Sequence, residues 1–460
     1  MIIEKLRDSL PGLRATVDPG DLQEYGRDWT RFVPPAPAAI VFPESTEAVQ
    51  ALVSWAREHE FALVPSGGRT GLSGGAVAPA GEIVVSMERM NALGDWNPVD
   101  RLLTCGAGAV TQRIQDFAVE QGLYYPVSFA SEGSSQIGGN VATNAGGIKV
   151  LRYGLTRDRV AGLQVVTGAG EVLDLNRGLV KNATGYDLRH LFIGSEGTLG
   201  IITQVTLELV DAPPAQAVMV VGAADMQAIM GIFGAARASL TLSAYEFFSD
   251  RALGRVLAHH ELRGPFETRC PYYALLEFDC AGDDDEATAA EVFERCMEAG
   301  WVLDGVISQS ESQAQDLWKL REYISESIAP ATPYKNDLSV RVSRVPGFLE
   351  TLDALVGERY PDFEVVWFGH IGDGNLHLNI LKPDGLETGE FQARCEAVND
   401  EVFELVARHD GSVSAENGVG MLKKPYLGHS RDQAEIEAMR AVKGVFDPDG
   451  ILNPGKLIDR

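Results

Sequence analysis

Three glycine-rich loops constrain the fold of this chain more than any other feature of its sequence. The first, PSGGRTGLSGG at residues 65–75, holds five glycines in eleven residues and directly follows an apolar run. The second, GGNVATNAGG, covers residues 138–147, and the third, GSEGTLG, covers residues 194–200. Glycine lets the backbone approach a ligand closely, and successive N–H groups in such loops can bind an anion. Three such loops therefore predict a large phosphorylated cofactor.

The composition predicts a globular protein of two or three domains. The chain has 460 residues, of which 45% are hydrophobic and 23% are charged. Its 39 basic and 65 acidic residues give a formal net charge of −26. A charge of this sign disfavours nucleic acids and anionic membranes as partners.

The cysteines and the N-terminus indicate a cytoplasmic protein. The five cysteines form no CxxC, haem or iron–sulfur spacing, and their odd number argues against a disulfide framework. The start, MIIEKLRDSLPGL, has no signal-peptide core, and no apolar run approaches the length of about 18 residues needed to cross a membrane. We therefore expect a protein that is not integral to a membrane.

Strands alternate with helices along the first half of the chain. Residues 39–42, 62–64 and 83–85 read as strands, and residues 46–59 read as a helix. The sequence Asp211-Ala212-Pro213-Pro214 then marks a break, because two prolines cannot continue a central strand. Strands and helices resume beyond it, which predicts a second, α+β unit.

The order and wording of the three loops resemble the FAD-binding domain of the vanillyl-alcohol-oxidase/p-cresol-methylhydroxylase flavoproteins. The first loop lacks both the GK[ST] of a Walker A loop and the GxGxxG of a nicotinamide-binding unit. Within the flavoprotein group, the resemblance to the FAD-linked D-2-hydroxyacid dehydrogenases extends over nearly the whole chain. It implies an α+β fold with a two-subdomain FAD-binding domain at residues 1–212. A substrate- and metal-binding domain with an antiparallel sheet would follow at 213–420, and a C-terminal segment at 421–460 would return to the flavin.

The resemblance also implies which residues bind the cofactor. The first loop has neither histidine nor cysteine, so it implies FAD held without a covalent bond. The first loop would hold the pyrophosphate, the second loop and the RYG at 152–154 would line the flavin, and the third loop would hold the adenine side. The implied residues are Pro65, Ser66, Gly67, Gly68, Arg69, Thr70, Gly71, Leu72, Ser73, Gly74, Gly133, Ser134, Gly138, Gly139, Asn140, Thr143, Asn144, Gly146, Gly147, Arg152, Tyr153, Gly154, Glu196, Gly197, Ile201 and Asn453.

The stretch FGHIGDGNLHLN at residues 368–379 is a candidate metal site. Asp373-Gly374 between apolar flanks predicts a two-residue hairpin turn in which His370 faces His377. Cross-strand partners share a face with Cβ atoms about 5 Å apart, so two such imidazoles suit a divalent cation. Two half-buried histidines hydrogen-bonded across the ribbon are the structural alternative.

Glu416, in SAENG at residues 414–418, extends this pattern. By itself, a carboxylate between small residues is more often a turn cap. The combined text GHIGDGNLH and SAENG resembles the His/His/Glu metal site of the dehydrogenase family, which implies His370, His377 and Glu416 as ligands. This ligand set suits zinc, and manganese and cobalt also fit it.

Asn417 departs from the family's usual pattern, which reads E-H-G. The family's histidine is a candidate for the base that removes the substrate hydroxyl proton, whereas an amide cannot accept a proton near neutral pH. Either water or another group acts as base, or the chain is a weakened variant. The candidate catalytic residues are Asn417, His370, His377 and Glu416.

Arg321 falls on the apolar stripe of a predicted helix over residues 310–328, with Ser325 one turn further on. A buried guanidinium needs a partner, which is either an acidic side chain of the protein or a substrate carboxylate. The texts WKLREYIS and YKNDLS resemble the D-2-hydroxyglutarate dehydrogenases. That resemblance implies that Arg321, Ser325 and Lys335 grip a distal carboxylate, while Asn379 and Asn417 contact the substrate near the metal.

The sequence thus predicts FAD- and metal-dependent oxidation of D-2-hydroxyglutarate to 2-oxoglutarate, with hydride passing to flavin N5. Electrons would go on to a separate acceptor, for which the family suggests electron-transfer flavoprotein, and the protein is expected to be a homodimer. The alternatives are D-lactate, D-malate or glycolate oxidation, a flavin oxidase that reduces O₂, and a flavoprotein weakened in turnover by Asn417.

Overall fold

The fold is taken from a computed structural model, which describes residues 2–30 and 32–459. The chain divides into two compact units. The first comprises Met1–Gly146, Gly154–Ala212 and Glu416–Arg460, and the second comprises Gly147–Tyr153 and Pro213–Ala415. The sequence placed the first boundary at the same position but ended the second unit at residue 420, and it did not assign residues 147–153 to that unit.

The strands of the first unit form three sheets. In chain order they are β1 (Arg14–Thr16), β2 (Ala39–Phe42), β3 (Leu63–Ser66), β4 (Ile83–Ser86), β5 (Leu93–Asn97), β6 (Leu102–Gly106), β7 (Leu123–Tyr124), β8 (Val160–Thr167), β9 (Val172–Leu175), β10 (Gly200–Glu208) and β11 (Val210–Asp211). A four-stranded sheet has the order β1-β2-β4-β3, with β4 parallel to both of its neighbours. An antiparallel sheet has the order β5-β6-β10-β8-β9, and β7 pairs with β11. β2 and β4 are buried along their whole length, as their unbroken apolar sequences predict.

The helices before Ala212 are mostly short. They are α1 (Ile2–Ser9), α2 (Pro19–Tyr25), α3 (Thr46–Glu58), α4 (Thr111–Glu120), α5 (Ile137–Thr143), α6 (Val150–Tyr153) and α7 (Arg189–Phe192). α3 begins where the sequence predicts, because the Ser45 hydroxyl accepts a hydrogen bond from the Ala48 N–H at 3.2 Å. Its buried face carries Val49, Leu52 and Val53, which is the 3–4 spacing of an amphipathic helix.

The C-terminal segment is part of the first unit. The Leu63 N–H donates to the Ile451 carbonyl at 2.8 Å, and the Asn453 N–H donates to the Leu63 carbonyl at 2.8 Å, so this segment runs along the edge strand β3. The helix Gln433–Phe446 precedes it and contributes Lys443, whose buried ammonium pairs with Asp447 at 2.8 Å. The turn-rich end of the chain is therefore ordered structure, as its composition indicates.

The second unit contains one seven-stranded antiparallel sheet. Its strands are β12 (Gln216–Ala223), β13 (Leu242–Ser249), β14 (Tyr272–Asp279), β15 (Asp304–Ile307), β16 (Tyr334–Ser339), β17 (Glu364–Gly369) and β18 (Asn375–Leu381). The order across the sheet is β15-β12-β14-β13-β17-β18-β16. Every neighbouring pair is antiparallel, which confirms the sheet type expected for this unit.

Helices connect these strands. They are α8 (Met226–Ser239), α9 (Asp250–His259), α10 (Asp283–Glu298), α11 (Glu311–Glu322), α12 (Ile324–Ile328), α13 (Val345–Arg359) and α14 (Thr388–Arg408). With the helix Gln433–Phe446 of the first unit as α15, they complete the set found in the described residues. The sequence predicted one helix over 310–328, and the structure divides it at Tyr323 into α11 and α12. Arg321 nevertheless lies on the buried side, with 6% of its surface exposed.

The predicted hairpin around Asp373-Gly374 has a different register. β17 and β18 pair Phe368 with His377, so His370 lies in the connecting loop and does not face His377 directly. The loop closes through the Asn375 N–H, which donates to the His370 carbonyl at 3.2 Å. The prediction of a two-residue turn was therefore wrong, because the strands stop earlier and residues 370–374 form a longer connection.

Within the described ranges, every helix is too short or too polar to cross a lipid bilayer.

Candidate flavin and metal sites

The first two glycine loops lie against each other in the first unit. A Cβ atom on Gly68 would lie 2.1 Å from the Ser134 carbonyl oxygen, so this close backbone approach requires glycine. A Cβ on Gly133 or Gly139 would meet no atom within 4 Å, so the backbone at those residues borders open space. The loops therefore leave a glycine-lined surface where a ligand can approach main-chain N–H groups.

Buried polar atoms without partners mark the same region. The Ser66 hydroxyl and the side-chain oxygens of Gln136 and Asn453 are buried and find no hydrogen-bond partner among the described residues. Buried polar atoms are normally paired, so these three fit a polar ligand such as FAD. Gln136 was missed by the sequence analysis, because only its packing beside Gly67 singles it out: a Cβ on Gly67 would lie 3.4 Å from the Gln136 Cβ.

Asn453 holds two of the loops together. Its Nδ2 donates to the carbonyl of Gly75 at 2.9 Å and to the carbonyl of Glu196 at 2.7 Å. One bond goes to the end of the first loop and the other to the third loop. The amide therefore joins two segments that the sequence assigns to one cofactor.

Two residues that the resemblance places at the cofactor shape the turn at residues 417–420. The Glu196 carboxylate accepts hydrogen bonds from the N–H groups of Val419 at 2.8 Å and Gly420 at 2.7 Å. Burial raises the pKa of Glu196, and these two N–H groups oppose that rise. The Ser73 hydroxyl donates to the Asn417 carbonyl at 2.8 Å. Both side chains are thus engaged within the protein.

The asparagines and threonine of the second loop also have internal partners. The Asn140 amide donates to Thr111 Oγ1 at 2.6 Å, and the Thr143 hydroxyl donates to the Gly139 carbonyl at 3.0 Å. Asn144 adopts φ 52° and accepts from the Arg157 N–H at 3.1 Å. These side chains set the loop's shape, which leaves ligand contacts to its backbone.

Of the predicted cofactor residues, Gly147, Arg152 and Tyr153 lie in the second unit and the others lie in the first. The Arg152 guanidinium forms an ion pair with Asp279 at 2.5 Å. A flavin contact from Arg152 or Tyr153 stays a prediction.

The three predicted metal ligands lie together. One ligand atom each of His370, His377 and Glu416 lies within 4.8 Å of the others. The two imidazole rings are 5.4 Å apart between centroids and nearly perpendicular, and their side chains are only 12% and 13% exposed. Two imidazoles and a carboxylate are a donor set typical of divalent transition metals, so these residues fit a metal ion.

The position of Glu416 depends on the residue before it. Ala415 is the last residue of the second unit, and its N–H donates to the Asp337 carboxylate at 3.1 Å. Asp337 pairs with His377 across β16 and β18, and its carboxylate lies 3.7 Å from His377 Nδ1. Asp337 therefore anchors the backbone at Ala415 and also lies behind the His377 ring.

A second buried carboxylate lies behind His370. Glu246 in β13 is 1% exposed, and its Oε1 is 2.8 Å from His370 Nδ1. Burial alone would raise the pKa of Glu246, but the charges of His370 and Arg321 lower it below its usual value. Burial lowers the pKa of His377 well below its usual value, so that ring is neutral near pH 7 and its nitrogen can bind a metal.

Arg321 has the acidic partner that the sequence left open. Its Nη2 lies 2.8 Å from Glu246 Oε2, and its guanidinium lies over the Phe368 ring at 4.7 Å from the centroid. The N–H groups are not aligned with that oxygen, because Nε and Nη2 make no hydrogen bond within the described residues. The guanidinium is thus held by charge and retains donor capacity.

The remaining predicted substrate residues occupy one sheet face and one helix. Lys335 pairs with Asn379 across β16 and β18, so the two share the face that carries His377. The Asn379 amide donates to the His377 carbonyl at 3.2 Å. Ser325 is half-buried in α12, the helix after Arg321. Their substrate contacts stay predictions.

Comparison with protein families assigns both units. Residues 37–176 match the family described as FAD binding domain, and residues 212–457 match the family described as FAD linked oxidases, C-terminal domain. The two matches together cover most of the chain.

Known proteins give the same answer. The chain is 58% identical over 456 residues to D-2-hydroxyglutarate dehydrogenase of Stutzerimonas stutzeri (strain A1501), covering 99% of this chain and 98% of that protein. It is 55% identical over 457 residues to D-2-hydroxyglutarate dehydrogenase of Xanthomonas citri pv. viticola, covering 99% and 97%. The crystal structure of p-cresol methylhydroxylase with substrate bound matches at a TM-score of 0.76 and 16% identity, covering 99% of this chain and 96% of that one. The last match shows the fold alone.

Proposed function

The chain belongs to the family of FAD-linked oxidases, and from that membership we propose that it oxidises D-2-hydroxyglutarate to 2-oxoglutarate. The observation that carries the proposal is the full-length identity of 58% to a D-2-hydroxyglutarate dehydrogenase. When bound, FAD supplies the redox chemistry, because its N5 accepts the hydride that leaves C2 of the substrate. The hydroxyl proton leaves at the same carbon, so the substrate loses two electrons and two hydrogens.

His370, His377 and Glu416 are the residues that would hold a divalent metal. We infer zinc as the metal, since two imidazoles and one carboxylate leave open positions around it. Such an ion would supply a Lewis acid for the substrate hydroxyl and the neighbouring carboxylate.

The cationic side chains of the second unit would bind the other end of the substrate. Arg321 retains guanidinium donors, and Lys335 carries an ammonium on the face that carries His377. A dicarboxylate of five carbons offers a distal carboxylate for these two cations, whereas D-lactate offers a methyl group there. Asn379 and Asn417 would hydrogen-bond the end of the substrate that reacts.

Electrons would leave the flavin for a separate protein, and we infer electron-transfer flavoprotein as that acceptor. The chain has no cysteine spacing for an iron–sulfur cluster and no haem-attachment motif of its own. We further infer a cytoplasmic homodimer.

The proposal is tested by anaerobic titration of the purified yellow protein. D-2-hydroxyglutarate should bleach the flavin absorbance at micromolar to millimolar concentrations, while D-lactate, D-malate and glycolate should act at least about tenfold less efficiently. Preferential bleaching by D-lactate would overturn the substrate assignment. Peroxide formation at the rate of substrate oxidation in air would show an oxidase instead.

A further inference from the structure

Glu246 is a carboxylate in the middle of the second unit's sheet. It lies in β13, between β14 and β17, and is 1% exposed. Burying a charge at such a position is costly unless it is paired. The residue therefore has to be explained by the groups it contacts.

The strand register explains why Glu246 meets His370. β13 and β17 pair Phe247 with Gly369 and Phe248 with Phe368. Continuing that register by one residue sets Glu246 opposite His370, and its Oε1 indeed lies 2.8 Å from His370 Nδ1. Because Nδ1 is occupied by the carboxylate, Nε2 is the ring nitrogen that can bind a metal. This is the carboxylate–histidine–metal arrangement in which the second contact fixes the tautomer.

The other oxygen of the same carboxylate contacts Arg321. Oε2 lies 2.8 Å from Nη2, and the side chains of Glu246 and Arg321 are 2% and 7% exposed. The ion pair holds the guanidinium in place, but its N–H groups are not spent on aligned hydrogen bonds. One buried carboxylate is therefore shared between a candidate metal ligand and a candidate substrate cation.

We propose that Glu246 is a positioning residue that holds His370 in the tautomer that binds metal and holds Arg321 in the orientation that binds the distal carboxylate. The proposal rests on the proposed function for the identity of the substrate. Its content is a link: metal affinity and dicarboxylate affinity depend on the same carboxylate, although Glu246 touches neither ligand.

Glu246→Gln tests the link, and Glu277→Gln is its matched control. Glu277 lies in the adjacent strand β14, is 7% exposed, and accepts from Trp318 Nε1 at 2.9 Å. It also pairs with Lys149. The control loses a buried carboxylate of the same sheet that contacts neither His370 nor Arg321. A general loss of stability would affect both variants, whereas positioning would be lost in only one.

The first readout is metal affinity, measured by competition of zinc between the flavin-loaded protein and a chromogenic chelator. Glu246→Gln should lower zinc affinity about 10- to 100-fold, the usual cost of losing a contact behind a metal ligand. Glu277→Gln should stay within about twofold of wild type. Zinc affinity of Glu246→Gln equal to that of Glu277→Gln would overturn the proposal.

The second readout is the substrate dependence. Glu246→Gln should raise the KM for D-2-hydroxyglutarate more than it raises the KM for D-lactate, since only the dicarboxylate uses Arg321. Equal effects on the two substrates would overturn the link to Arg321.

A double variant covers the case in which Glu246→Gln leaves Arg321 as an unpaired buried cation and fails to fold. Glu246→Gln with Arg321→Met removes both charges together, and its zinc affinity should still fall about 10- to 100-fold because His370 has lost its carboxylate. Wild-type affinity in that variant would overturn the proposal. If D-2-hydroxyglutarate fails to bleach the wild-type flavin, the proposed function fails, while the zinc competition still decides the role of Glu246.

Discussion

The second unit contains two groups of two histidines and a glutamate, and only their surroundings distinguish them. The sheet group is His370, His377 and Glu416, and the helix group is His259, His260 and Glu326. In each group one ligand atom from every side chain lies within 4.8 Å of the others. The sheet-group histidines are largely buried, whereas His259 and Glu326 are exposed at the end of α9 and in α12.

The residues behind the histidines differ as well. In the sheet group, His370 is backed by Glu246 and His377 by Asp337. In the helix group, the His260 ring packs on Tyr323 at 4.5 Å between centroids. Its buried Nε2 has no hydrogen-bond partner in the part of the chain that the structure describes. Supporting carboxylates orient an imidazole and increase its basicity, so ligand type and spacing alone do not make a metal site.

Removing one histidine from each group is the sharpest way to break this comparison. His377→Ala should lose metal and lower kcat/KM at least about 100-fold while FAD stays bound, because a ligand of the reacting centre is gone. His260→Ala should keep the metal content and activity of wild type. Metal analysis, the flavin spectrum and steady-state rates check both variants, and equal losses in the two would contradict the distinction.

The sheet group also differs in having a cation on its own sheet face. Lys335→Met should lower kcat/KM for D-2-hydroxyglutarate about 30-fold, the value of one charge-assisted hydrogen bond. The effect on D-lactate should be within about twofold, since that substrate has no distal carboxylate. Lys382→Met is the control, because the Lys382 ammonium donates to the Leu386 carbonyl at 3.0 Å within its own loop. A uniform loss on both substrates would argue against a distal carboxylate contact.

Asn417 follows directly after the carboxylate of the sheet group, and no residue of this kind is at issue in the helix group. Asn417→His introduces a base where the family usually has one and should raise kcat up to about tenfold if proton removal limits the rate. Pre-steady-state flavin reduction measures that step directly. An unchanged or slower reduction would show that another group already removes the proton.

Burial without a partner can also be tested in the first unit, with the smallest expected effect. Lys456 is buried, its ammonium has no hydrogen-bond partner among the residues described, and burial lowers its pKa to about 8. Between that value and the usual 10.5, the unfolded chain holds a proton that the folded chain lacks, so stability should rise with pH. From pH 8 to 9 the gain is about 1 kcal/mol in the flavin-free protein.

Urea unfolding at both pH values checks this sign. Lys456→Met should reduce the pH dependence by that amount and leave the remainder unchanged. The same slope in Lys456→Met and wild type would contradict the assignment of the shift to Lys456.

The local elements of this fold were readable from the sequence because their causes are local. α3 begins at its Ser45 cap and carries its apolar residues at helical spacing. β2 and β4 are short apolar runs bounded by turns. The glycine loops were recognisable because backbone conformations that need glycine appear directly as glycine in the sequence, as at Gly68.

Elements that depend on distant contacts were not readable. The turn at Asp373-Gly374 has a strong local signal, yet the paired strands stop before His370, and the register follows from pairing across the sheet. Residues 147–153 lie between two parts of the first unit in sequence, but they pack with the second. Ion pairs of Lys149 and Arg152 with β14 hold them there.

The sequence by itself determined the chemical types in the candidate sites: glycine loops, two histidines, a glutamate and a buried arginine. Only the tertiary structure decided which residues support them, because Glu246 is separated from His370 by 124 positions and Gln136 carries no motif. A hydrogen bond between side chains depends on distance in space, and chain order does not encode that distance. The choice between the sheet group and the helix group therefore lies in the folded sheet and not in the residue types.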